Sequence, residues 1–484
     1  MLNARSSFAE NIPGETGGDR CKSEAYRSCR SAEPILNQSG PPVAYDISRL
    51  FLAPAAAAPR GIDRIDLALA CHVFRPGQEA LGVLPTPWGV RVFACDAVRK
   101  GLANLRRLWA EDIDPDDDPQ WVDLRSRMLG RPARPMAVRS SFASKCLRVC
   151  SQLRETGISL GRPVRKHVPE GSLYLNVGQI GLAAPFVLDW LKRRHDVTAV
   201  LMLHDTIPLD LPECVEPSSR SHHARMIRTA ARHGHGLVVT TEHARRSVCD
   251  ALAKCGGSDV PVLARHLPIA EGFAAPGAPH PELADHRYFV VCGTVEPRKN
   301  QAMLLRIWQR LTASLGEDAP HLVIVGSHGY RSAGILAPIA SDGALGARVH
   351  HVSGLSTPSL AQLLRGARAL LVPSLSEGFG LPLLEARALG VRALASDIPA
   401  HREVAGPRAA LLDCGDEEAW SSAIRAAMKL PNRLAPLPMQ GLEPDLYCRD
   451  LIEFAKSVAS ERRNGQPRSK DGLDIAADGG KAFA

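Results

Sequence analysis

Two carboxylates, Glu377 and Glu385, stand eight residues apart in the segment SEGFGLPLLEARALG (376–390). The apolar run ALLVPS (369–374) precedes them and predicts a buried strand. Both side chains therefore follow the carboxyl end of a strand, at the place where open parallel sheets bind their ligands.

The residues between the glutamates predict a turn that opens a helix. Gly378 and Gly380 allow backbone conformations closed to other residues, and Pro382 suits a first helical position. A helix N-terminus favours anions, and flanking carboxylates suit a ligand whose hydroxyl groups lie on both sides of a phosphate, such as a nucleotide sugar. The spacing alone leaves open a capped helix with surface glutamates.

Two cations, Arg298 and Lys299, occupy a second strand exit in the segment CGTVEPRKN (292–300). The preceding strand ends at Gly293, and cations at this place could neutralise a diphosphate. A solvated turn with Asn300 as the helix N-cap is the alternative reading.

Two weaker candidates lie in the first half of the chain. His204, followed by Asp205, ends the apolar run of LMLHDTIPLDLPE (201–213) and is placed for hydrogen bonding or proton transfer. Gly61 precedes an amphipathic helical pattern, but it does not form a dinucleotide-binding fingerprint. A histidine that holds a loop, and an ordinary helix start, are the alternatives.

The acidic segment EDIDPDDDP (111–119) resembles an Asp-x-Asp metal site. Its prolines and the lack of a preceding strand favour a solvated acidic loop.

The twelve cysteines show neither a disulfide rhythm nor a metal-ligand spacing, so we expect no metal, and free thiols indicate a reducing cytoplasm. No apolar run reaches the roughly 18 residues that span a bilayer, and the N-terminus shows no secretory signal.

These candidates must be positioned by strands that alternate with helices. Strand-like runs fall in two series: 173–178, 197–203, 236–241 and 261–267, then 288–293, 321–326, 348–354, 369–374 and 392–396. Nearly continuous apolar runs linked by helical patterns indicate parallel sheets covered on both faces. The fold class is therefore α/β, with two Rossmann-like, doubly wound domains that face a cleft.

The predicted boundaries follow from composition. They are a disordered lead (1–42), a first Rossmann-like domain (43–270), a Pro/Gly-rich linker (271–286), a second Rossmann-like domain (287–440), a C-terminal helix (441–460) and a disordered tail (461–484).

The formal net charge is +8, and the segment 125–167 holds eleven Lys/Arg against one acid, Glu155. With the amphipathic stretch RKGLANLRRLW (99–109), this segment suggests peripheral contact with an anionic membrane on its inner face. A solvated basic face is the alternative. A nucleic-acid partner is not expected, because interleaved stacking aromatics and a recognised fold are both missing.

The motifs GTVEPRKN, LLVPSLSEGFGLPLLEARALGVRALASDIPAHREVAG and LHDTIPLDLPE resemble glycosyltransferase family 4 of the GT-B fold. The resemblance is greatest to the bacterial mannosyltransferase branch of O-antigen and exopolysaccharide synthesis. It covers about 283–430 strongly and about 43–270 moderately. The resemblance implies a retaining, metal-independent hexosyltransferase that uses a nucleotide diphosphate sugar, GDP-mannose being favoured, and a glycan or lipid-linked saccharide acceptor.

The resemblance also implies that 43–270 is the acceptor-side domain, that 287–440 binds the nucleotide sugar and that the helix 441–460 crosses back to the first domain. It further implies a role for each matching residue. Glu377 would meet the donor sugar near the reacting carbon, and Glu385 the ribose hydroxyls. Arg298 and Lys299 would neutralise the diphosphate, and His204 would assist from the acceptor side. The remaining donor-binding positions are the Phe379, Gly380 and Leu381 backbone, with Gly293 and Gly61.

The sequence departs from the family at three places: Thr294 replaces a common cation, the first-domain loop has one glycine, and HLPIA (266–270) lacks Asn-Gly. The division of labour between Arg298 and Lys299 therefore stays open. Two other functions remain as alternatives: another GT-B activity such as a nucleotide-sugar epimerase, or a catalytically idle nucleotide-sugar-binding partner of a polysaccharide assembly complex.

Overall fold

The computed structural model describes residues 40–52, 59–132, 161–257, 259–430 and 441–464. The predicted disordered lead (up to residue 39), the tail from residue 465 and most of the basic segment (133–160, with Glu155) lie outside these residues.

The first sheet has eight strands in the order β4-β3-β2-β1-β5-β6-β7-β8. They are β1 (Val43–Asp46), β2 (Ala80–Thr86), β3 (Gly89–Ala94), β4 (Arg162–Pro163), β5 (Leu173–Asn176), β6 (Thr198–Met202), β7 (Gly236–Val239) and β8 (Val262–Ala264). The strands β1, β2 and β5–β8 pair in parallel. Strands β5–β8 coincide with predicted strands, whereas β1 and β2 were not predicted.

One edge of this sheet differs from the prediction of a purely parallel arrangement. Strands β2 and β3 form an antiparallel hairpin, and β4 extends it, also antiparallel. The turn depends on Gly89, whose φ is 99°, and on the Thr86 hydroxyl, which donates to the Gly89 carbonyl at 2.7 Å. Strand β3 was not predicted, because its apolar run is broken by Arg91 and four of its six residues are not fully buried.

The second sheet has six strands, all parallel, in the order β11-β10-β9-β12-β13-β14. They are β9 (Tyr288–Cys292), β10 (His321–Val325), β11 (Val349–Val352), β12 (Ala369–Val372), β13 (Ala393–Ser396) and β14 (Ala409–Leu412). The first five coincide with predicted strands because their apolar runs are buried on both faces. The half-exposed edge strand β14 was not predicted.

Helices cover the faces of both sheets. The described helices are α1 (Ser48–Leu52), α2 (Gly61–Val73), α3 (Cys95–Leu108), α4 (Pro119–Met128), α5 (Val164–His167), α6 (Ile207–Asp210), α7 (Pro217–His233), α8 (Glu242–Ala253), α9 (Glu271–Ala274), α10 (Gln301–Leu315), α11 (Ser332–Ser341), α12 (Gly343–Gly346), α13 (Thr357–Gly366), α14 (Leu381–Leu389), α15 (Pro399–Val404), α16 (Glu417–Met428) and α17 (Pro444–Arg463). None of the helices in the described part of the chain is long and apolar enough to cross a membrane.

Helix α17 connects the end of the chain with the first sheet. Its Asp445 pairs with His72 at the end of α2, at 2.6 Å. Near its other end, Arg462 donates to the Val197 carbonyl at 3.1 Å. The helix begins three residues after the predicted start at 441 and continues three residues beyond the predicted end at 460. The predicted linker (271–286) contains α9 and a 3-10 turn, Pro281–Leu283.

The strand order determines where the candidate residues can meet. Strand β9 lies directly beside β12, with Val291 opposite Leu371. The loops that leave their carboxyl ends, before α10 and α14, are therefore neighbours. In the first sheet, β5, β6 and β7 are adjacent, so their exits are neighbours as well.

Candidate active site

The loops that follow the carboxyl ends of β9 and β12 are adjacent, and they bring Glu377 together with both predicted cations. Arg298 donates to the Glu377 carboxylate at 3.0 Å and to the Ser376 carbonyl at 2.8 Å. Lys299 donates to the other carboxylate oxygen, Oε1, which also accepts from the Ser374 hydroxyl at 2.7 Å. One buried carboxylate is thus held by two cations and a hydroxyl.

The electrostatics of this cluster keep Glu377 charged. Burial alone would raise the pKa of its carboxyl, but Lys299 and Arg298 outweigh burial and hold that pKa well below its usual range. Burial likewise opposes the charge of Arg298, whereas Glu377 and Glu296 raise its pKa. With Glu296 included, the cluster contains two cations and two carboxylates, so its formal charges balance.

The two cations have different partners. Arg298 is bound by Glu377, by Glu296 at 2.6 Å and by the Ser376 carbonyl, and its own carbonyl accepts from the Leu375 amide at 2.8 Å. The Lys299 ammonium contacts Glu377 and has two further hydrogens to donate. Arg298 therefore joins the two loops, and Lys299 is the cation with capacity for a phosphate.

Gly293 gives Lys299 its room. Its φ is 139°, and a Cβ at this position would lie 3.2 Å from Lys299 Cε. A side chain here would push the ammonium away from Glu377, so the glycine at the strand exit serves the cation.

Glu385 lies in α14 at 3% exposure, and its partner comes from the first sheet's side. The Arg64 guanidinium of α2 donates to Glu385 Oε1, and the same guanidinium packs over the Phe273 ring, 5.1 Å from its centroid. Burial raises the pKa of the Glu385 carboxyl, and Arg64 opposes that rise. The predicted ribose-binding carboxylate is thus balanced by an arginine that the sequence reading did not select.

The glycine turn itself touches the first sheet at several points. The Gly378 carbonyl accepts from the Thr240 hydroxyl at 2.8 Å and the Thr241 hydroxyl at 3.0 Å, both beyond the end of β7. A Cβ at Gly61 would lie 2.9 Å from Leu381 Cδ1, so Gly61 allows α2 to approach the start of α14. Gly380 is the left-handed N-cap of α14, with φ 97°.

Phe379, between the two turn glycines, is buried and packs edge-on against His266, with ring centroids 5.6 Å apart. His266 in turn lies 3.7 Å from Glu403 of α15, and Glu403 caps α8 by accepting from the Glu242 amide at 2.8 Å and the His243 amide at 2.9 Å. The turn and α15 are thus both tied to the first sheet's side.

His204 follows β6 and reaches the same turn. Burial lowers the pKa of its imidazole to about 3, so the ring is neutral, and the ring is hydrogen-bonded to the Val177 backbone. Its Nε2 is buried and has no hydrogen-bond partner in the structure. A Cβ at Gly378 would lie 2.7 Å from the His204 carbonyl. The structure therefore brings His204 beside the turn that carries Glu377.

The acidic segment 111–119 is not wholly the solvated loop that its composition predicted. Asp118 is buried, caps α4 and accepts from the Ser356 amide at 2.9 Å. Glu111 accepts from the Thr357 hydroxyl at 2.9 Å. Among the described residues no group of three His, Cys, Asp or Glu side chains could hold a metal ion. The segment contacts the second sheet's side instead.

Three of the six described cations of the basic segment, Arg125, Arg127 and Arg131, are paired with acidic side chains. Arg125 contacts Asp116 and Glu282, and Arg131 contacts Glu282 at 2.8 Å. Most of the stretch 99–109 lies in α3, which ends at Leu108 and is capped by Trp109. Leu102 and Leu105 are buried, whereas Leu108 is 44% exposed.

Comparisons with known proteins agree with this geometry. Residues 278–438, which include β9–β14, match the family described as glycosyl transferases group 1. O-antigen chain mannosyltransferase B of Escherichia coli is 31% identical over 148 residues, covering 31% of this chain and 38% of that protein. O-antigen chain mannosyltransferase RfbU of Salmonella typhimurium is 32% identical over 149 residues, covering 31% of this chain and 40% of that protein. The chain thus spans about two fifths of the length of these two relatives.

Among solved structures, the α,α-trehalose 6-phosphate synthase of Burkholderia multivorans superposes with a TM-score of 0.52 at 13% identity, covering 88% of this chain and 98% of that one. This likeness confirms the predicted GT-B fold. Over about a third of the chain, the matches to the family model and to O-antigen mannosyltransferases confirm the predicted resemblance to bacterial mannosyltransferases.

Proposed function

We propose that the protein is a retaining glycosyltransferase that moves a hexose from a nucleotide diphosphate sugar to a glycan or lipid-linked saccharide in cell-surface polysaccharide synthesis. Mannose, carried as GDP-mannose, is the favoured sugar, and the reaction needs no metal. The observation that carries the proposal is the contact of Glu377 with Lys299 and Arg298 inside the region that matches the family.

The charges of this cluster suit the departure of a nucleoside diphosphate. Sugar transfer builds negative charge on the leaving phosphate and positive charge on the sugar ring. Lys299 would donate one or more hydrogen bonds to the phosphate, while Arg298 keeps the two loops together. A preorganised donor of this kind is worth about 3–4 kcal/mol in the transition state.

Glu377 would act on the sugar. Its carboxylate is held ionised by the cations, so it can orient hydroxyl groups and stabilise the positive charge of the ring. We do not assign it as a covalent nucleophile, because both of its oxygens already accept hydrogen bonds.

Glu385 would bind the ribose while Arg64 holds the same carboxylate from the other side. A carboxylate has about four lone-pair sites, so one oxygen can accept from Arg64 and the other from a diol. Contacts between the two sides of the cleft would then exclude water from the donor, which limits hydrolysis.

Peripheral contact with an anionic membrane belongs to the same proposal, because a lipid-linked acceptor lies in a membrane. The exposed cations Arg162, Arg165 and Lys166 at the first sheet's edge would supply the electrostatic attraction. Flotation with anionic vesicles at low and high salt tests this step. Binding that is lost at high salt supports it, and an absence of binding at both salt levels contradicts it.

The proposal is tested by screening the purified protein against a panel of sugar nucleotides with lipid-linked saccharide acceptors. We expect release of the nucleoside diphosphate together with a glycosylated acceptor. Formation of an epimer without an acceptor would reveal a nucleotide-sugar epimerase. Binding of a sugar nucleotide without turnover on any acceptor would reveal an idle binding partner.

A further inference from the structure

His401, in α15, is a buried histidine that neither the motifs nor the proposed mechanism uses. Its side chain is 0% exposed. Its Nδ1 lies 2.8 Å from the Ser396 carbonyl. A carbonyl oxygen can only accept, so Nδ1 carries the hydrogen and Nε2 is the other, hydrogen-free nitrogen of the neutral ring.

The Nε2 atom of His401 is buried and has no hydrogen-bond partner among the residues that the structure describes. Buried polar atoms nearly always have a partner, so this one calls for an explanation. Burial lowers the pKa of the imidazole, and nearby Glu377 opposes that effect without reversing it. The ring is therefore neutral, and Nε2 is a hydrogen-bond acceptor.

The unpartnered edge of the ring faces the glycine turn. A Cβ at Gly380 would lie 3.2 Å from His401 Cδ2 and 3.5 Å from Nε2. The charges that act on the imidazole are those of Glu377 and Lys299. The acceptor thus lies near Gly380, Glu377 and Lys299, which are residues assigned to the donor sugar and its diphosphate.

His204 has the same arrangement on the opposite side. Its ring is neutral and hydrogen-bonded to a backbone group, its Nε2 is buried without a partner, and its carbonyl closely approaches Gly378. Two neutral imidazoles, one from each sheet, therefore approach the segment 378–380. A repeated arrangement of this kind favours a shared ligand over two separate packing defects.

We propose that His401 Nε2 accepts a hydrogen bond from a hydroxyl group of the donor sugar. The proposal rests on the proposed function. A lone pair on Nε2 repels phosphate oxygens, so the partner must bring a donor hydrogen, which a sugar hydroxyl does. Proximity to Glu377 places that hydroxyl on the transferred sugar and not on the ribose.

The test compares two isosteric variants in the full chain. In His401→Asn, the amide nitrogen takes the place of Nδ1, so the bond to Ser396 is kept and the acceptor at Nε2 is lost. In His401→Gln, the amide reaches the place of Nε2, and the Ser396 carbonyl still accepts from the Ile398 amide at 2.9 Å. A His350→Asn variant replaces a buried histidine of β11, which is an edge strand of the second sheet and is not adjacent to β12 or β13.

Binding is measured by calorimetry with GDP-mannose, or with the donor found in the screen, and with the corresponding nucleoside diphosphate. We expect His401→Asn to bind the sugar nucleotide roughly tenfold more weakly than wild type, with unchanged binding of the nucleoside diphosphate. His401→Gln should recover most of the loss, and His350→Asn should bind both ligands as wild type does.

Unchanged binding of the diphosphate shows that a weakened variant is still folded. Equal binding of the sugar nucleotide by wild type and His401→Asn would overturn this inference alone. Equal weakening by His401→Asn and His350→Asn would overturn it as well. If the wild type binds no sugar nucleotide at all, the proposed function fails, and the inference fails with it.

Discussion

Glu377 and Glu385 belong to one loop and helix, but their charges are balanced in different ways. Glu377 is held by Lys299 and Arg298 from a neighbouring loop of the same sheet. Glu385 is held by Arg64, which comes from a helix on the other sheet. The first cluster, made of Glu377, Lys299 and Arg298, lies entirely within the region that matches the family. The second cluster, made of Glu385 and Arg64, exists only while α2 and α14 are in contact. In the proposed function, one domain would supply the contacts to the diphosphate, and contact between the domains would add the contact to the ribose.

The largest expected effect is on the first cluster. Lys299→Ala should reduce the rate of transfer by on the order of 10²–10³-fold, because it removes the cation with capacity for the leaving phosphate. Thermal stability should fall less than in Arg298→Ala, because Glu377 keeps its hydrogen bonds from Arg298 and Ser374. The rates come from steady-state release of the nucleoside diphosphate.

The matched control is Arg306→Ala in α10, which removes a surface cation paired with Glu417. Lys299→Arg should restore part of the activity because it restores the charge. Near-wild-type transfer by Lys299→Ala would remove this residue from the mechanism.

Arg298→Ala should act on stability more than Lys299→Ala does. It breaks a buried pair and leaves Glu296 and Glu377 without the guanidinium, which we expect to lower the free energy of unfolding by about 3 kcal/mol. Urea unfolding of both variants measures the difference. Equal stability of Arg298→Ala and Lys299→Ala would contradict the division of labour between the two cations.

The second cluster should show a smaller, coupled effect. Arg64→Met and Glu385→Gln should each lower kcat/KM for transfer, and the double variant should lose less than the two losses combined. We expect a coupling free energy of about 1–2 kcal/mol. Arg75→Met, near the other end of α2 and paired with Asp445, is the matched control. Additive losses would show that the two side chains act independently.

The smallest expected effect is on the pH dependence of the free energy of unfolding, which should differ between the two clusters. The pKa of Glu377 is lowered on folding, so its contribution to stability is present above the unfolded value and is lost as pH falls through the folded value. The pKa of Glu385 is raised, so its contribution is present below the unfolded value and is lost as pH rises through the folded value.

Unfolding free energies between about pH 3 and pH 8 test these signs, since an unperturbed glutamate titrates near pH 4.3. Below about that pH, wild type should gain stability over Glu377→Gln as pH rises. Above it, wild type should lose stability relative to Glu385→Gln. Slopes of the same sign for the two variants would contradict the comparison.

Much of the first cluster could be predicted from sequence, because its parts are local. The buried runs 288–293 and 369–374 predict strands, glycines mark their exits, and neighbouring parallel strands bring their exits together. The contact of Lys299 with Glu377 follows once β9 and β12 are neighbours. The structure then separates the roles of Arg298 and Lys299, which depend on the position of Glu296.

The second cluster could not be predicted in the same way. Arg64 and Glu385 are far apart in the chain, and only the docking of one sheet on the other brings them together. His401 was missed because it lies in a short helix with no motif spacing. The sequence feature that could have identified His401 is its position in SDIPAHREVAG (396–406), the segment that follows β13, the strand next to β12.

The central claim is that the β9 and β12 exits hold the diphosphate of a sugar nucleotide. A crystal structure of the protein with its donor, or with the nucleoside diphosphate, tests it most directly. We expect a phosphate oxygen within hydrogen-bond distance of Lys299 Nζ and the ribose hydroxyls on Glu385. A diphosphate bound elsewhere, with Lys299 still on Glu377 alone, would contradict the account.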